Sequence, residues 1–323
     1  CNASKLFRLN SFEKVLSKVK SMRELPQQRM LTIDGAELCV FEWQGRKRDS
    51  QQVLLVHATG FHARCWDQVV AHLPADWTVF AVDMRGHGRS ANQGPFTWQR
   101  FGDDLLQVCA QLKLVDAIAV GHSMGGHCLT HTCGHNAHYF RHMVLVDPVI
   151  MDPDLYRTPS RHQYDSVADH PVARRRNNFV DAQAMYDRYA ERPPYSLWNP
   201  IVFKDYCDHG VVPAADGNGM VLACPPEVEA SIYMGNFDAD LYSLIPQIDT
   251  PVVVLRAKPR DPDSEVMDFT ASPTWPALAA QFAHGQDVYL PDLTHFIPMQ
   301  DPGLVADFIL AAADAPVLQA AVD

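Results

Sequence analysis

Residues 117–126, AIAVGHSMGG, decide the fold of this chain. The apolar start of the stretch predicts a buried strand, and the segment from Met124 predicts a helix. Ser123 stands at the junction, with a glycine two positions away on either side. A strand-to-helix turn this tight excludes a bulky Cβ at those two positions, and it lifts the serine hydroxyl above the carboxyl end of a sheet. Ser123 is therefore the candidate nucleophile.

Short apolar runs alternate with longer amphipathic segments on both sides of this junction. The runs VLLVH, TVFAVD, MVLVD, PVVVLR and DVYL predict further strands at 53–57, 78–83, 143–147, 251–256 and 287–290. The amphipathic segments predict helices at 64–73, 96–112 and 274–283, with a last helix from about Asp301. Near-continuous β-branched runs in this rhythm are typical of a parallel sheet covered on both faces. We expect an α/β fold with a mostly parallel sheet of about eight strands.

The alternation of predicted strands and helices stops near residue 150 and resumes at residue 251. This interruption divides the chain into a core and an inserted segment. We assign 29–149 and 251–323 to the α/β core, and 150–250 to a helical cap inserted over the ligand end of the sheet. Helical spacing of apolar residues over 11–25 predicts an amphipathic helix, so residues 1–28 form an N-terminal extension.

The composition of the chain excludes some classes of protein and of binding partner. The chain has 323 residues and a formal net charge of -11. This acidity argues against a nucleic-acid partner, since such binding depends on basic side chains at phosphates. No apolar run approaches the length of a membrane span. We expect a small-molecule substrate, while the oligomeric state stays open.

The cysteines indicate the cellular compartment of the protein. Eight are scattered along the chain, mostly in apolar runs, which predicts buried free thiols and a cytoplasmic location. Cys207 and Cys224 are the one pair to examine for a bridge. The chain begins with Cys1 rather than Met. We interpret this start as the boundary of a fragment, and the alternative is an N-terminal cysteine that carries a lipid anchor.

Taken together, these motifs resemble the α/β-hydrolase superfamily over almost the whole chain. HATGF (57–61) is similar to its oxyanion loop, with Ala58 where the first glycine usually stands. GHSMGG (121–126) is similar to the nucleophile elbow, and LPDLTHFIPMQDP (290–302) to the loop with the catalytic histidine. DMRGHGRS (83–90) is similar to the turn after the intervening strand. The resemblance implies a serine hydrolase that needs no cofactor.

Serine is a poor nucleophile until a base takes its proton. His295 follows the last strand, as the order nucleophile, acid, histidine requires, and is the candidate base. We expect the backbone N–H groups of Thr59 and Met124 to form the oxyanion hole.

The acid of the triad has more than one candidate. Asp261 follows the strand at 251–256 about where the superfamily's usual acid falls, but its separation from His295 is long. Asp147, at the end of the strand at 143–147, is the equal alternative, because some members carry the acid there. Asp268 ranks below both.

Five histidines recur at intervals of three or four residues, which on one helix would place them on one face: His127, His131, His135, His138 and His142. The hydrolytic mechanism needs no metal, and the segment runs on toward the next strand. We therefore predict no metal site.

The expected reaction is hydrolysis of an ester, lactone or thioester through an acyl-serine intermediate. The predicted cap is rich in aromatic residues, which favours an apolar acyl or aryl substrate. Three alternatives stay open on the same fold: carbon–carbon bond hydrolysis, cofactor-free oxygenation and a slow-turnover ligand receptor.

Overall fold

The computed structural model of this chain describes residues 23–47, 50–156, 164–235, 241–260 and 268–316. The predicted amphipathic helix at 11–25 lies almost wholly outside these ranges. The first strand starts at Gln27, which is just inside the predicted extension 1–28.

Within the described ranges, eight strands form the main sheet. They are β1 (Gln27–Ile33), β2 (Ala36–Trp43), β3 (Gln52–Val56), β4 (Thr78–Val82), β5 (Ala117–His122), β6 (Phe140–Val146), β10 (Val252–Ala257) and β11 (Gly285–Leu290). A second, three-stranded sheet is formed by β7 (Asn178–Phe179), β8 (Val211–Pro213) and β9 (Met220–Leu222).

The α-helices of the described ranges connect these strands. They are α1 (Asp67–His72), α2 (Trp98–Leu112), α3 (Met124–His135), α4 (Pro153–Tyr156), α5 (Ala182–Tyr189), α6 (Pro200–His209), α7 (Pro226–Met234), α8 (Ile297–Gln300) and α9 (Pro302–Asp314). Short 3-10 helices lie at Ala63–Trp66, Ala137–Tyr139, Val167–Asp169, Pro171–Arg174, Tyr195–Leu197, Leu241–Ser243, Ile245–Gln247 and Ala279–Gln281.

The main sheet has the order β1-β2-β4-β3-β5-β6-β10-β11. The pairs β1–β2 and β2–β4 are antiparallel, and all the other neighbours are parallel. This confirms the predicted α/β fold with a mostly parallel sheet. Strand register aligns Val56 with Gly121, and His122 with Val146. The loops after β3, β5 and β6 therefore leave the sheet side by side, at the edge where ligands of such sheets bind.

Alternating side chains of the strands build two cores, one on each face of the sheet. In β3, Leu54 and Val56 face one core, which also contains buried residues of α2 and α3. Val53 and Leu55 face the other, which contains buried residues of α1 and α9. Because both faces are covered, the strands carry continuous apolar runs, as the sequence predicts.

The chain between β6 and β10 has its own apolar cluster. Trp198, Phe203 and Tyr206 are buried there, and they pack with Phe296 and Met299 from the end of the chain beyond β11. This segment contains α4 to α7, but it also contains the small sheet of β7, β9 and β8, which sequence patterning missed. Strands of two or three residues are too short to show an alternating pattern.

The helix predicted at 274–283 is wrong. The structure has only the 3-10 helix Ala279–Gln281 there. The N–H groups of Leu278, Gln281 and Phe282 each donate to the carbonyl oxygen three residues earlier, which gives 3-10 turns in place of a regular α-helix. The last helix is close to its predicted start, and the side chain of Asp301 accepts a hydrogen bond from the N–H of Leu304.

Candidate active site

Ser123 occupies a strained turn between β5 and α3. Its backbone has φ 56 and ψ -117, a left-handed region that residues other than glycine rarely adopt. A Cβ on Gly121 would lie 2.5 Å from the backbone of Gly125, and one on Gly125 would lie 2.2 Å from the carbonyl oxygen of Val56. Glycine is therefore required at both flanking positions, and the turn fixes the hydroxyl at the carboxyl end of the sheet.

His295 lies between a serine and a carboxylate. Its Nε2 is 3.0 Å from Oγ of Ser123, and its Nδ1 is 2.6 Å from Oδ2 of Asp147. Since an ionised carboxylate only accepts hydrogen bonds, Nδ1 carries the proton and Nε2 is left to accept from the serine hydroxyl. The three side chains thus form one continuous hydrogen-bonded chain.

Asp147 is fully buried, and its other carboxylate oxygen is also occupied. Oδ1 accepts hydrogen bonds from the N–H of Ala257, at 2.9 Å, and from the hydroxyl of Ser272, at 2.5 Å. The hydroxyl of Thr274 shares its proton between the carbonyl oxygen of Pro148, at 2.7 Å, and the same carboxylate oxygen, at 3.2 Å. These donors stabilise a buried negative charge and hold the carboxylate in one orientation.

The other two acid candidates lie elsewhere. Asp261 is outside the described residues. Asp268 is exposed, and its Oδ1 accepts hydrogen bonds from the N–H and the hydroxyl of Thr270. The structure therefore brings Asp147 onto His295, and Asp268 is engaged with its own loop.

The loop after β3 brings Thr59 beside the elbow. The hydroxyl of Thr59 is 3.3 Å from Sδ of Met124. Among the described residues, no acceptor is paired with the backbone N–H of either residue. The backbone of Ala58 does not adopt a positive φ. Alanine thus fits a loop whose usual first residue is glycine.

Two buried histidines hold this loop, and sequence reasoning gave them no role. The N–H of Gly60 donates to Nε2 of His87 at 3.0 Å, and the N–H of Met84 donates to Nε2 of His57 at 2.9 Å. Burial lowers the pKa of His87 to about 4, and it lowers the pKa of His57 well below its usual value. Both rings are therefore neutral near pH 7 and able to accept these bonds.

A third buried histidine supports the loop that carries His295. Nε2 of His122 donates to the carbonyl oxygen of His295 at 2.8 Å. Burial, reinforced by the nearby His295, lowers the pKa of His122 to about 3. The residue next to Ser123 in sequence thus also positions the candidate base.

Ser123 and His295 open into a cavity of about 480 Å³. Most of its wall is apolar or aromatic, including Phe61, Tyr195, Trp198, Tyr206, Tyr233, Phe269 and Phe296. In the part of the chain that the structure describes, three charged side chains also line it, namely Arg175, Glu229 and Asp268. The cavity therefore has the form of a small-molecule site with a few placed polar groups.

The five spaced histidines do not share one helix. His127, His131 and His135 lie on α3, but His138 lies in the following 3-10 helix and His142 in β6. In the part of the chain that the structure describes, no group of three or more His, Cys, Asp or Glu side chains is arranged to hold a metal ion.

The cysteines of the described ranges are buried free thiols, Cys207 and Cys224 included. No disulfide joins that pair. Across the same ranges, no helix has the length and apolar character needed to cross a membrane.

Comparisons with known proteins show which sequences and folds the chain resembles. Residues 53–308 match the alpha/beta hydrolase family. A non-heme chloroperoxidase, CPO-A1 of Kitasatospora aureofaciens, is 34% identical over 130 residues, which are 38% of this chain and 46% of that protein. A pimeloyl-[acyl-carrier protein] methyl ester esterase of Vibrio vulnificus is 33% identical over 104 residues, 32% of this chain and 39% of the esterase. The match thus spans less than half of each relative's length.

The solved structure of E-2-(acetamidomethylene)succinate hydrolase resembles the chain more extensively. It has a TM-score of 0.70 and covers 90% of this chain and 100% of its own, at 20% sequence identity. A likeness at this identity concerns the fold alone. Because the family match covers most of the sequence, the chain belongs to the alpha/beta hydrolase family.

Proposed function

We propose that this chain is a serine hydrolase that cleaves a carboxylic ester, lactone or thioester. The observation that carries the proposal is the hydrogen-bonded chain Ser123–His295–Asp147, whose serine and histidine line a cavity. Ser123 would be the nucleophile, His295 the general base and Asp147 the acid of the triad. The methyl ester esterase relative and the family match support ester hydrolysis as the reaction class.

The first half of the reaction acylates the serine. Oγ of Ser123 attacks the ester carbonyl carbon while Nε2 of His295 takes its proton. The carbonyl oxygen becomes an oxyanion, which the N–H groups of Thr59 and Met124 would stabilise, and the positive end of α3 adds to this. The bond from the carbonyl carbon to the leaving oxygen, or to the leaving sulfur of a thioester, then breaks, and the imidazolium returns the proton to the departing alcohol or thiol.

The second half repeats these steps with water. His295 takes a proton from a water molecule, whose oxygen attacks the acyl carbon. The bond between that carbon and Oγ then breaks, and the imidazolium returns the proton to Ser123. Asp147 stays ionised throughout and stabilises the imidazolium that forms twice in each cycle.

The substrate is expected to carry an apolar acyl or aryl group, because aromatic side chains dominate the cavity wall. Many of these side chains come from residues 150–250, which we propose as the cap. Burial of an aliphatic acyl chain against them contributes up to about 0.8 kcal/mol per methylene.

Steady-state hydrolysis of p-nitrophenyl esters tests this function. The proposal expects turnover by the wild type and a loss of several orders of magnitude in kcat in Ser123→Ala, with an unchanged circular dichroism spectrum. Residual esterase activity above one tenth in that variant contradicts it. Faster turnover of vinylogous diketones than of any ester would instead indicate carbon–carbon hydrolysis on the same site.

A further inference from the structure

An ion pair lies in the wall of the otherwise aromatic cavity. Nη1 of Arg175 donates to Oε2 of Glu229, and Nη2 donates to the hydroxyl of Tyr206 at 3.3 Å. Glu229 comes from α7, and Arg175 follows the 3-10 helix Pro171–Arg174. The glutamate side chain is 5% exposed and the arginine side chain 27% exposed.

Burying such a pair is costly for the fold. The desolvation of two charges often exceeds their mutual attraction, so apolar residues of similar volume frequently stabilise a protein as well or better. Burial alone lowers the pKa of Arg175, but the Glu229 carboxylate raises it well above its ordinary value, so the guanidinium stays charged. A charged pair kept in a cavity wall therefore points to recognition rather than to stability.

The pair retains hydrogen-bonding capacity toward the cavity. A guanidinium has five N–H donors, and the contacts with Glu229 and Tyr206 use two of them. Within the described chain, Oε1 of Glu229 has no hydrogen-bond donor. The pair thus presents donors and an acceptor within one small part of the wall.

This acceptor lies next to the candidate oxyanion loop. A Cβ built on Gly60 would be 2.4 Å from Oε1 of Glu229, so the carboxylate packs against the residue that follows Thr59. A group bound by the pair would therefore lie in the same cavity as Ser123 and the candidate oxyanion loop.

We propose that Arg175 and Glu229 select an ester whose acyl part carries a neutral group with both a donor and an acceptor, such as a carboxamide. The inference rests on the proposed esterase function and names the substrate class of that site. The carboxamide oxygen accepts from Arg175, and its N–H donates to Oε1 of Glu229.

Charge explains why the recognised group is neutral rather than anionic. Glu229 cancels the charge of Arg175, and Asp268 adds a negative charge to the same cavity. Among the described residues that line the cavity, a substrate carboxylate would meet a net negative charge and gain little from an arginine that is already paired. An apolar group, in turn, leaves the open donors and acceptor of the pair without partners.

The test compares three methyl esters at each of several chain lengths, followed by proton release in a pH-stat. One series carries a terminal carboxamide (methyl succinamate, glutaramate and adipamate). The second has the isosteric branched chains (methyl 4-methylpentanoate, 5-methylhexanoate and 6-methylheptanoate). The third consists of the half-esters with a free carboxylate. At the best chain length, the carboxamide should exceed both counterparts in kcat/KM by about tenfold or more.

Two charge variants sharpen the test, each with a matched control. Glu229→Gln removes the charge that neutralises Arg175, so the ratio of half-ester to carboxamide kcat/KM should rise by about tenfold. Glu227→Gln, an exposed position on the same helix, should leave this ratio unchanged. Arg175→Met should abolish the carboxamide preference, while Arg176→Met at the neighbouring exposed position should retain it.

The wild-type ratios decide the matter even if a variant does not fold. Equal or faster turnover of the branched esters at every chain length overturns the inference, as does a preference for the half-esters. In either case the proposed hydrolase function stands, because esters are still cleaved. If the wild type cleaves none of the series and a fluorophosphonate leaves Ser123 unlabelled, the proposed function itself fails, and this inference fails with it.

Discussion

Nδ1 of His295 lies 2.6 Å from Oδ2 of Asp147, although 148 positions separate the two residues in sequence. The contact exists because β6 and β11 flank β10 in the sheet, so the segments that follow them meet at one edge. It joins the candidate base to a carboxylate that three further donors already hold in place. This contact is the basis for choosing among the acid candidates.

Asp147→Asn should lower kcat by up to about 10⁴, because an amide cannot fix the tautomer of His295 or stabilise its imidazolium. Steady-state kinetics measure the loss, and a thermal melt separates it from unfolding. Asp307→Asn is the control, since that side chain is exposed on α9. Near-normal activity in Asp147→Asn would remove Asp147 from the triad and make Asp261 the next residue to change.

Gly60→Ala should lower kcat/KM by more than the backbone strain of an alanine at a positive φ would cause. Gly60 has φ 79, and a Cβ there would meet the Glu229 carboxylate at 2.4 Å. The collision moves either the loop that carries Thr59 or the ion-paired carboxylate in the cavity wall, so kcat/KM for esters should fall by about tenfold or more. Gly217→Ala is the matched control, because Gly217 has φ 77 but nothing within 4 Å of its Cβ position.

Gly217→Ala should cost about 1 kcal/mol of folding free energy, the ordinary penalty of a left-handed alanine, and leave kcat/KM unchanged. Equal catalytic loss in both variants would show that the oxyanion loop is not sensitive to this contact. Urea unfolding supplies the free energies for both.

Buried histidines should make the protein sensitive to acid. Burial lowers the pKa of His127 from its ordinary value of 6.5 to about 4, so the unfolded chain binds the proton more strongly than the folded one. The stabilising contribution of the neutral ring is complete above pH 6.5. It is lost as pH falls toward 4, at about 1.4 kcal/mol per pH unit for one such group.

His127→Asn keeps a donor toward the carbonyl oxygen of Val149 but removes this titration. The slope of unfolding free energy against pH between 6 and 4.5 should therefore decrease by about one proton. His138→Asn removes an exposed ring and serves as the control. Urea melts at several pH values measure both slopes, and an unaltered slope in His127→Asn would contradict the assignment.

Acyl chain length tests the apolar character of the cavity. For p-nitrophenyl esters, kcat/KM should rise from acetate toward medium chains, by at most about 0.8 kcal/mol for each methylene that is buried. The rise should stop where the chain fills the cavity of about 480 Å³. A steady fall from acetate onward would instead indicate a small polar acyl pocket.

Local pattern was sufficient to predict the sheet, the strand-to-helix turn at Ser123 and the position of His295. These features depend on residues close together in sequence, such as the glycines that flank the elbow. Local pattern could not decide whether Asp147 or Asp261 is the acid of the triad. It depends on donors from Ala257, Ser272 and Thr274, which reach Asp147 from more than a hundred positions away.

The same limit explains what the sequence did not reveal about the cavity wall. Arg175 and Glu229 are separated by 54 positions, and each lies in a segment with no motif around it. His87 and His57 stand in a recognisable turn and loop, but their roles depend on backbone groups of Gly60 and Met84. Contacts of this kind become visible only once the chain is folded.

The most direct test of the central claim is the rate at which a fluorophosphonate phosphonylates the serine. Oγ of Ser123 would displace fluoride, with His295 taking the proton, so labelling reports the activated nucleophile without any knowledge of the natural substrate. The account predicts rapid labelling of the wild type, with the adduct on the peptide containing Ser123. It also predicts slowing by several orders of magnitude in His295→Asn and no adduct in Ser123→Ala. An adduct on another residue, or equal labelling rates in the wild type and His295→Asn, would contradict it.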